Sequence, residues 1–246
     1  MYVWTNAFSA AEAFDSVSFL ATCRQMSLQQ AEEEVLCLIG NQISLKVCDF
    51  SLLCERGWLN YEIVNAYFLL IREQSIRESC SSNPGCEGQG IEVVNSAFFV
   101  FRAPAERSKF FEKLRCKNLF TLHMLMFPIH DRNHWILAVV NFRKKQIAIY
   151  DSCRKSHLRR LKQLLAVLEE EARRLRVEVD FTCWALVSGL SPEQSNNDDC
   201  GMFACTTAVY LAQNLPLDYT QKDILLFRLK MVRDLRRGSL DQEASK

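Results

Sequence analysis

Glycine and proline are scarce here, 8 and 5 of 246 residues, which excludes collagen-like, low-complexity and disordered chains. No apolar run reaches the roughly 18–20 residues that a membrane-spanning helix needs, so no membrane partner is expected. Charge of one sign is missing as well. Thirty Lys and Arg stand against 29 Asp and Glu, a net of +1, so no strong field selects nucleic acid. Glu12 and Asp15 interrupt the apolar N-terminus and no basic segment precedes it, which argues against a secretory leader. The expectation is an intracellular protein, in the nucleus and/or the cytoplasm. A CxxC pair is also lacking. The 11 cysteines are scattered and odd in number, which excludes a disulfide scaffold and a zinc ribbon; no metal and no cofactor are expected. In a reducing compartment most of them, Cys37, Cys183 and Cys205 among them, read as small buried hydrophobes.

What is present is enough for a sizeable core: apolar residues make up 49% of the chain. Residues 9–39 read as helix ending at the stop signal Gly40-Asn41, and residues 1–33 as a helical N-terminal extension. Asp49 is placed to cap a short helix toward Gly57, and Trp58 to Arg72 carry apolar residues at helical spacing. Residues 73–91 hold three of the eight glycines and read as a surface loop insertion, with Cys80 and Cys86 inside it. From residue 119 the pattern changes to strands: LFTLHMLMFPI, then HWILAVVNF and KQIAIYD joined across Arg143-Lys144 as a hairpin. Residues 157–176 form an amphipathic helix, 177–181 a short strand, Gly201 to about Gln213 an apolar helix, and 220–237 a last helix. The basic clusters Arg143-Lys144-Lys145 and Arg154 to Arg160 read as solvated faces. The sum is one α+β domain over residues 1–246, helices packed around a small mixed sheet.

The strongest chemical feature is the run Gln194-Ser-Asn-Asn-Asp-Asp-Cys200-Gly201-Met-Phe-Ala-Cys205. A cysteine in the first turn of a helix sits at the positive end of the helix dipole, which favours the nucleophilic thiolate. Gly201 would let a substrate backbone come close. Read alone, Cys200 is equally a buried cysteine at a helix start. It needs a base. Of His123, His130, His134 and His157, His134 opens one hairpin strand while Asp151 closes the next, so both fall at the same end. A carboxylate there orients the imidazole and stabilises its charged form. Gln194 offers an oxyanion donor beside the backbone N–H of Cys200. Cys153, two residues past Asp151, falls near the same place.

The run PIHDRNHWILAVVNFRKKQIAIYDS (Pro128 to Ser152) resembles the core of the Ulp/SENP cysteine proteases, which process and remove SUMO. The runs Gln194 to Cys205, Gly57-Trp-Leu-Asn-Tyr-Glu-Ile-Val-Asn and Phe227-Arg-Leu-Lys-Met-Val-Arg are similar to its other blocks. The order His, Asp, Gln, Cys and the spacings within it match too, and the resemblance runs from about Glu34 to Gly238. It implies a papain-like, adenain-like fold acting as a monomer. It also implies Cys200 as nucleophile, His134 as base, Asp151 as its orienter and Gln194 in the oxyanion hole. Trp58 and Trp135 would flank a tunnel for the substrate's Gly-Gly tail, with Asn60, Tyr61 and Gly201 as further substrate contacts. Two flat indoles leave a slot that only residues without a Cβ enter, so diglycine selectivity is steric exclusion. The implied partners are SUMO or a related ubiquitin-like protein and its conjugates.

Two departures stand out. The Trp-Leu-Asn block usually continues with an acidic residue that in SUMO proteases helps bind a basic residue of the modifier; here it is Tyr61. A rim charge affects selectivity and association rate more than chemistry, so the triad is untouched and the choice of modifier is not. The family commonly has Gly where Asn197 stands, and Asn tolerates positive φ at modest cost. A protease for NEDD8 or ubiquitin, or an idle binding module, are the alternatives. An acetyltransferase with a similar Cys/His pair is a further one, for which no basic cofactor-activating segment is found.

Overall fold

The computed structural model describes residues 8–54, 56–82, 90–96, 118–189 and 191–240; of residues 80–82 it describes the backbone alone. Helices α1 (Ala10–Gln25) and α2 (Leu28–Glu33) each begin at a serine whose hydroxyl accepts from the backbone three residues on. Glu12 and Gln30 reach back to complete both capping boxes. The second box starts a new helix at Leu28, which divides the helical stretch expected over 9–39. Its last part is a strand, β1 (Val35–Ile39), paired antiparallel with β2 (Ile43–Lys46). Gly40 and Asn41, read as a helix stop, both have positive φ and turn this hairpin instead. The N-terminal segment is helical and packs on the core, with Leu20 and Cys23 of α1 buried in it.

Helix α3 (Val47–Ser51) follows, with Asp49 in its first turn accepting from the Lys46 N–H rather than preceding the helix. Helix α4 (Tyr61–Ser82) runs ten residues past Arg72, so residues 73–82 are helix and not the expected loop. The side-chain bonds Gln74 to Glu78 and Arg77 to Gln74, three and four residues apart, support this part. The rest of that loop expectation, with Cys86 and the side chain of Cys80, falls outside the described residues apart from Gly90 and Ile91. Gly90 hydrogen-bonds through its carbonyl to His123, and Ile91 opens β3 (Ile91–Val93).

Strands β4 (Met124–Asp131), β5 (His134–Asn141), β6 (Gln146–Tyr150) and β7 (Ala185–Gly189) complete a mixed sheet ordered β3-β4-β5-β6-β7. Its two outer pairings are parallel and its two inner ones antiparallel. The expected hairpin β5–β6 is there. The expected strand at 177–181 is not, because Arg176 ends helix α5 (Leu158–Leu175) in the left-handed region. Asp180 then caps a 3-10 turn at Phe181–Cys183, so β7 starts at Ala185. Last come α6 (Cys200–Ala212) and α7 (Ile224–Arg237).

Both faces of the sheet are covered, which explains its unbroken apolar runs. Trp135, Leu137 and Val139 of β5 point into one core with α4, α6 and α7. The alternate residues Ile136, Ala138 and Val140 pack on the other face against Leu161, Leu164 and Leu168 of α5. Helix α6 is apolar nearly all round and is buried from Cys200 to Tyr210. Among the cysteines read as core, Cys205 is fully buried and Cys37 half-buried. Cys183 is exposed, because the 3-10 turn carries it to the surface. No helix of the described residues is long and apolar enough to cross a membrane.

Candidate active site

His134 and Asp151 meet as the hairpin requires. Leu137 of β5 pairs with Tyr150 of β6, so the start of β5 and the residue after β6 share one end of the sheet. There His134 Nε2 lies 2.7 Å from Asp151 Oδ1. Helix α6, packed across β5, brings its first residue to the same end, so the Cys200 thiol is the imidazole's other electrostatic neighbour. With Nε2 taken by Asp151, Nδ1 is the ring nitrogen not used by the carboxylate.

The electrostatics follow from these bonds. Hydrogen bonding to Asp151, then to Cys200, raises His134 from 6.5 to about 9 against the opposing effect of burial. Burial would push Asp151 up; bonds from His134, from His157 and from the Cys153 N–H outweigh it and hold the carboxyl well below its usual range. An imidazolium between a thiol and a buried carboxylate is an arrangement that can stabilise a thiolate and later return a proton to a leaving group.

Cys153 also stands here. Its sulfur, a His134 nitrogen and an Asp151 oxygen all lie within 4.8 Å of one another, among the described residues the one set of ligand-type atoms so gathered. His134 and Asp151 are already bonded to each other, however, which leaves neither free to serve as an open ligand. Burial and the Asp151 charge push the Cys153 thiol up, the wrong direction for a nucleophile.

Gln194 is fastened to the strand end that carries Asp151. Its N–H donates to Ser152 O at 3.1 Å, and its Oε1 accepts from Ser152 Oγ at 2.6 Å. Its Nε2 donates to Asn196 O at 2.5 Å, which uses one of the amide's two protons.

The two tryptophans differ. Trp135 is 3% exposed and donates to Leu59 O at 2.9 Å; Trp58 is 50% exposed and donates to Asp198 Oδ1 at 2.8 Å, two residues before the thiol. Tyr61 is exposed, packs edge-on to Trp135 and His130, and holds its hydroxyl 2.7 Å from His130 Nδ1. Two of the expected substrate contacts also have structural tasks. Asn60 accepts from the Ile63 N–H at the start of α4 and donates to Asp49 at 2.6 Å, so both ends of its amide are used in capping. Gly201 faces Leu59, where an added Cβ would lie 3.0 Å from the Leu59 Cβ, so packing of helix on loop accounts for the missing side chain.

Residues that sequence reasoning passed over complete the frame. Asp199, just before the thiol, is buried. It accepts from Arg228 at 2.6 and 3.1 Å, from Asn196 at 2.6 Å and from Gln221 at 2.7 Å. Arg228 also donates to the carbonyls of Leu52, Cys54 and Gly57, which hold the segment leading to Trp58. The stretch Arg154 to Arg160 is only partly a solvated face: His157 is buried on Asp151 at 2.7 Å, and Arg160 pairs with Asp131. An arginine three residues after a histidine, at the buried edge of an amphipathic helix, was the available clue.

The chain is 31% identical over 192 residues to Sentrin-specific protease 2 of Mus musculus, covering 75% of this chain and 31% of that protein. It thus spans about a third of the length of such relatives. Among solved structures, the catalytic domain of the Chaetomium thermophilum Ulp1-like SUMO protease shares the fold. It superimposes with a TM-score of 0.79 at 22% identity, over 93% of this chain and 90% of that one. The C-terminal Ulp1 protease domain, solved in complex with Smt3, the yeast orthologue of SUMO, gives 0.71 at 21% identity, over 94% and 96%. Residues 57–240, which hold every side chain just described from Trp58 to Arg228, match the C-terminal catalytic domain of the Ulp1 protease family, and the chain belongs to that family.

Proposed function

We propose that this chain is a cysteine protease that cleaves after the C-terminal Gly-Gly of SUMO, deconjugating it from target lysines, with maturation of the SUMO precursor as a second use of the same chemistry. The observation that carries the reading is the 2.7 Å bond between His134 and Asp151 at the end of the sheet to which α6 brings the Cys200 thiol, a neighbour that favours the charged ring. Cys200 attacks the terminal glycine carbonyl. The oxyanion is met by the Cys200 N–H and by Gln194, His134 protonates the leaving lysine amine, and water releases the modifier. Trp58, Trp135 and Tyr61 shape the entry of the diglycine tail. The relative's name, a sentrin-specific protease, and the neighbour's complex with a SUMO orthologue support SUMO as the modifier. We further propose that the chain acts as a monomer without a cofactor, in the nucleus and/or the cytoplasm, where its free thiols persist.

The test is a panel of ubiquitin-like proteins carrying a C-terminal electrophile, reacted with the wild-type chain and with Cys200→Ala. A covalent adduct with SUMO, lost in the variant, is the expected outcome. Labelling by NEDD8 or ubiquitin instead would trace the substitution at Tyr61 to a changed modifier. A folded chain that none of the probes labels would remove the enzymatic reading altogether.

A further inference from the structure

A second imidazole stands behind Asp151. His157, the residue before α5, is buried, and its Nε2 lies 2.7 Å from Asp151 Oδ2, the oxygen that His134 does not use. On its other side Arg160 Nη1 donates to His157 Nδ1 at 3.0 Å. A guanidinium has no acceptor, so Nδ1 must accept and the ring proton must sit on Nε2, aimed at the carboxylate. Arg160 is itself held by Asp131 at 2.5 Å, and Asp131 pairs with His134 across β4 and β5. The chain of hydrogen bonds runs from Asp131 through Arg160, His157 and Asp151 to His134.

We propose that His157 is a positioning residue for the reaction, acting through Asp151, and that Arg160 sets its tautomer; this rests on the cysteine-protease reading above. Asp151 Oδ1 accepts from His134 and from the Cys153 N–H at 2.8 Å. With no donor on Oδ2, the carboxylate could turn about its Cβ–Cγ bond, taking its lone pairs off the imidazole and leaving a buried oxygen unpaired. The His157 donor assigns the second oxygen and locks the plane of the carboxylate, and so the plane of the His134 ring. His157 touches no reacting atom.

The experiment compares His157→Leu, His157→Gln and Arg160→Met with the wild-type chain. Two readouts are taken: kcat and KM for release of a fluorogenic amine from the SUMO C-terminus, and the rate of iodoacetamide alkylation at Cys200, located by mass spectrometry. The second needs no modifier, so it judges the positioning role even if the substrate is wrong. His157→Leu should lower kcat about 10-fold or more at unchanged KM and slow Cys200 alkylation in parallel. His157→Gln, whose amide can still donate to Oδ2, should stay within about 3-fold of wild type. Arg160→Met, at a partly exposed position, should fall between them, since the ring is then free to take its other tautomer. The proposal is overturned by a His157→Leu chain that melts and reacts like wild type, or by a folded Gln variant as slow as Leu. Should the Leu variant not fold, wild-type rates in Arg160→Met overturn it equally. Rapid Cys200 alkylation that responds to His157→Leu, with no modifier cleaved, would refute the SUMO reading while sustaining the role of His157.

Discussion

His134 carries the sharpest single-residue consequence. Its bond to Asp151, and then that to Cys200, favour the charged ring and raise it from 6.5 to about 9. A raised folded value means that the stability contributed by the protonated ring is complete below about pH 6.5 and is lost as pH climbs through about 9. In a histidine-labelled sample, the Cε1 proton of His134 should titrate near 9 in the wild type. In Asp151→Asn, where the largest cause is removed, it should fall back toward 6.5, with kcat lower by roughly 10³–10⁴-fold. A wild-type midpoint at 6.5 would mean that the ring does not keep these bonds in solution. The residues of this site were legible because their types and order are carried by contiguous motifs. Asn60 and Gly201 show what a motif leaves out: its positions do not say which neighbouring element their atoms face, and here they face Asp49 and Leu59.

At the scale of elements, helix α1 departs most from what its sequence suggests. Its alternation of Ala, Ser and acidic residues gives little sign of a buried face. It docks nonetheless, by Glu12 to Arg233 and Arg237, by Asp15 to Arg236 at 2.5 Å, and by Phe19 packed edge-on to Phe50 with Arg236 over its ring. Leu20 lies inside the main core, whereas Phe14 is 76% exposed. Urea denaturation should therefore show Leu20→Ala costing about 2 kcal/mol or more and Phe14→Ala under about 0.5 kcal/mol. Equal losses would mean that the helix is only loosely attached. Helix α4 teaches the same point in the other direction. Its polar second half was read as a loop from its composition, while its own i,i+3 and i,i+4 pairs and the buried Arg72–Glu92 ion pair to β3 keep it helical.

Across the whole molecule, the site depends on elements far apart in sequence being held in register, and Arg228 of α7 is the tie. It joins Asp199, which precedes the thiol, to the carbonyls of the segment that presents Trp58. Burial alone would raise Asp199; bonds from Asn196 and Arg228 keep it low, so the pair is ionised where water is absent. Removing one partner of such a pair leaves an uncompensated charge. Arg228→Met should lose about 3–5 kcal/mol of stability, and adding Asp199→Asn should restore part of it. A loss in Arg228→Met below about 0.5 kcal/mol by urea denaturation would show that the charge is dispensable.

The sequence by itself determined the α+β class, the β5–β6 hairpin, the amphipathic α5, the apolar α6 and the pairing of His134 with Asp151. Each depends on periodicity or motif within a short stretch of chain, where the physics is local. The tertiary structure alone decided the β1–β2 hairpin in place of helix and the shift of the last strand to Ala185. It also decided the capping work of Asn60 and the burial of His157 and Arg228. In each of those the deciding partner lies outside the local pattern: a neighbouring strand, a capping carboxylate, or a carbonyl more than a hundred residues away, as between Arg228 and Leu52.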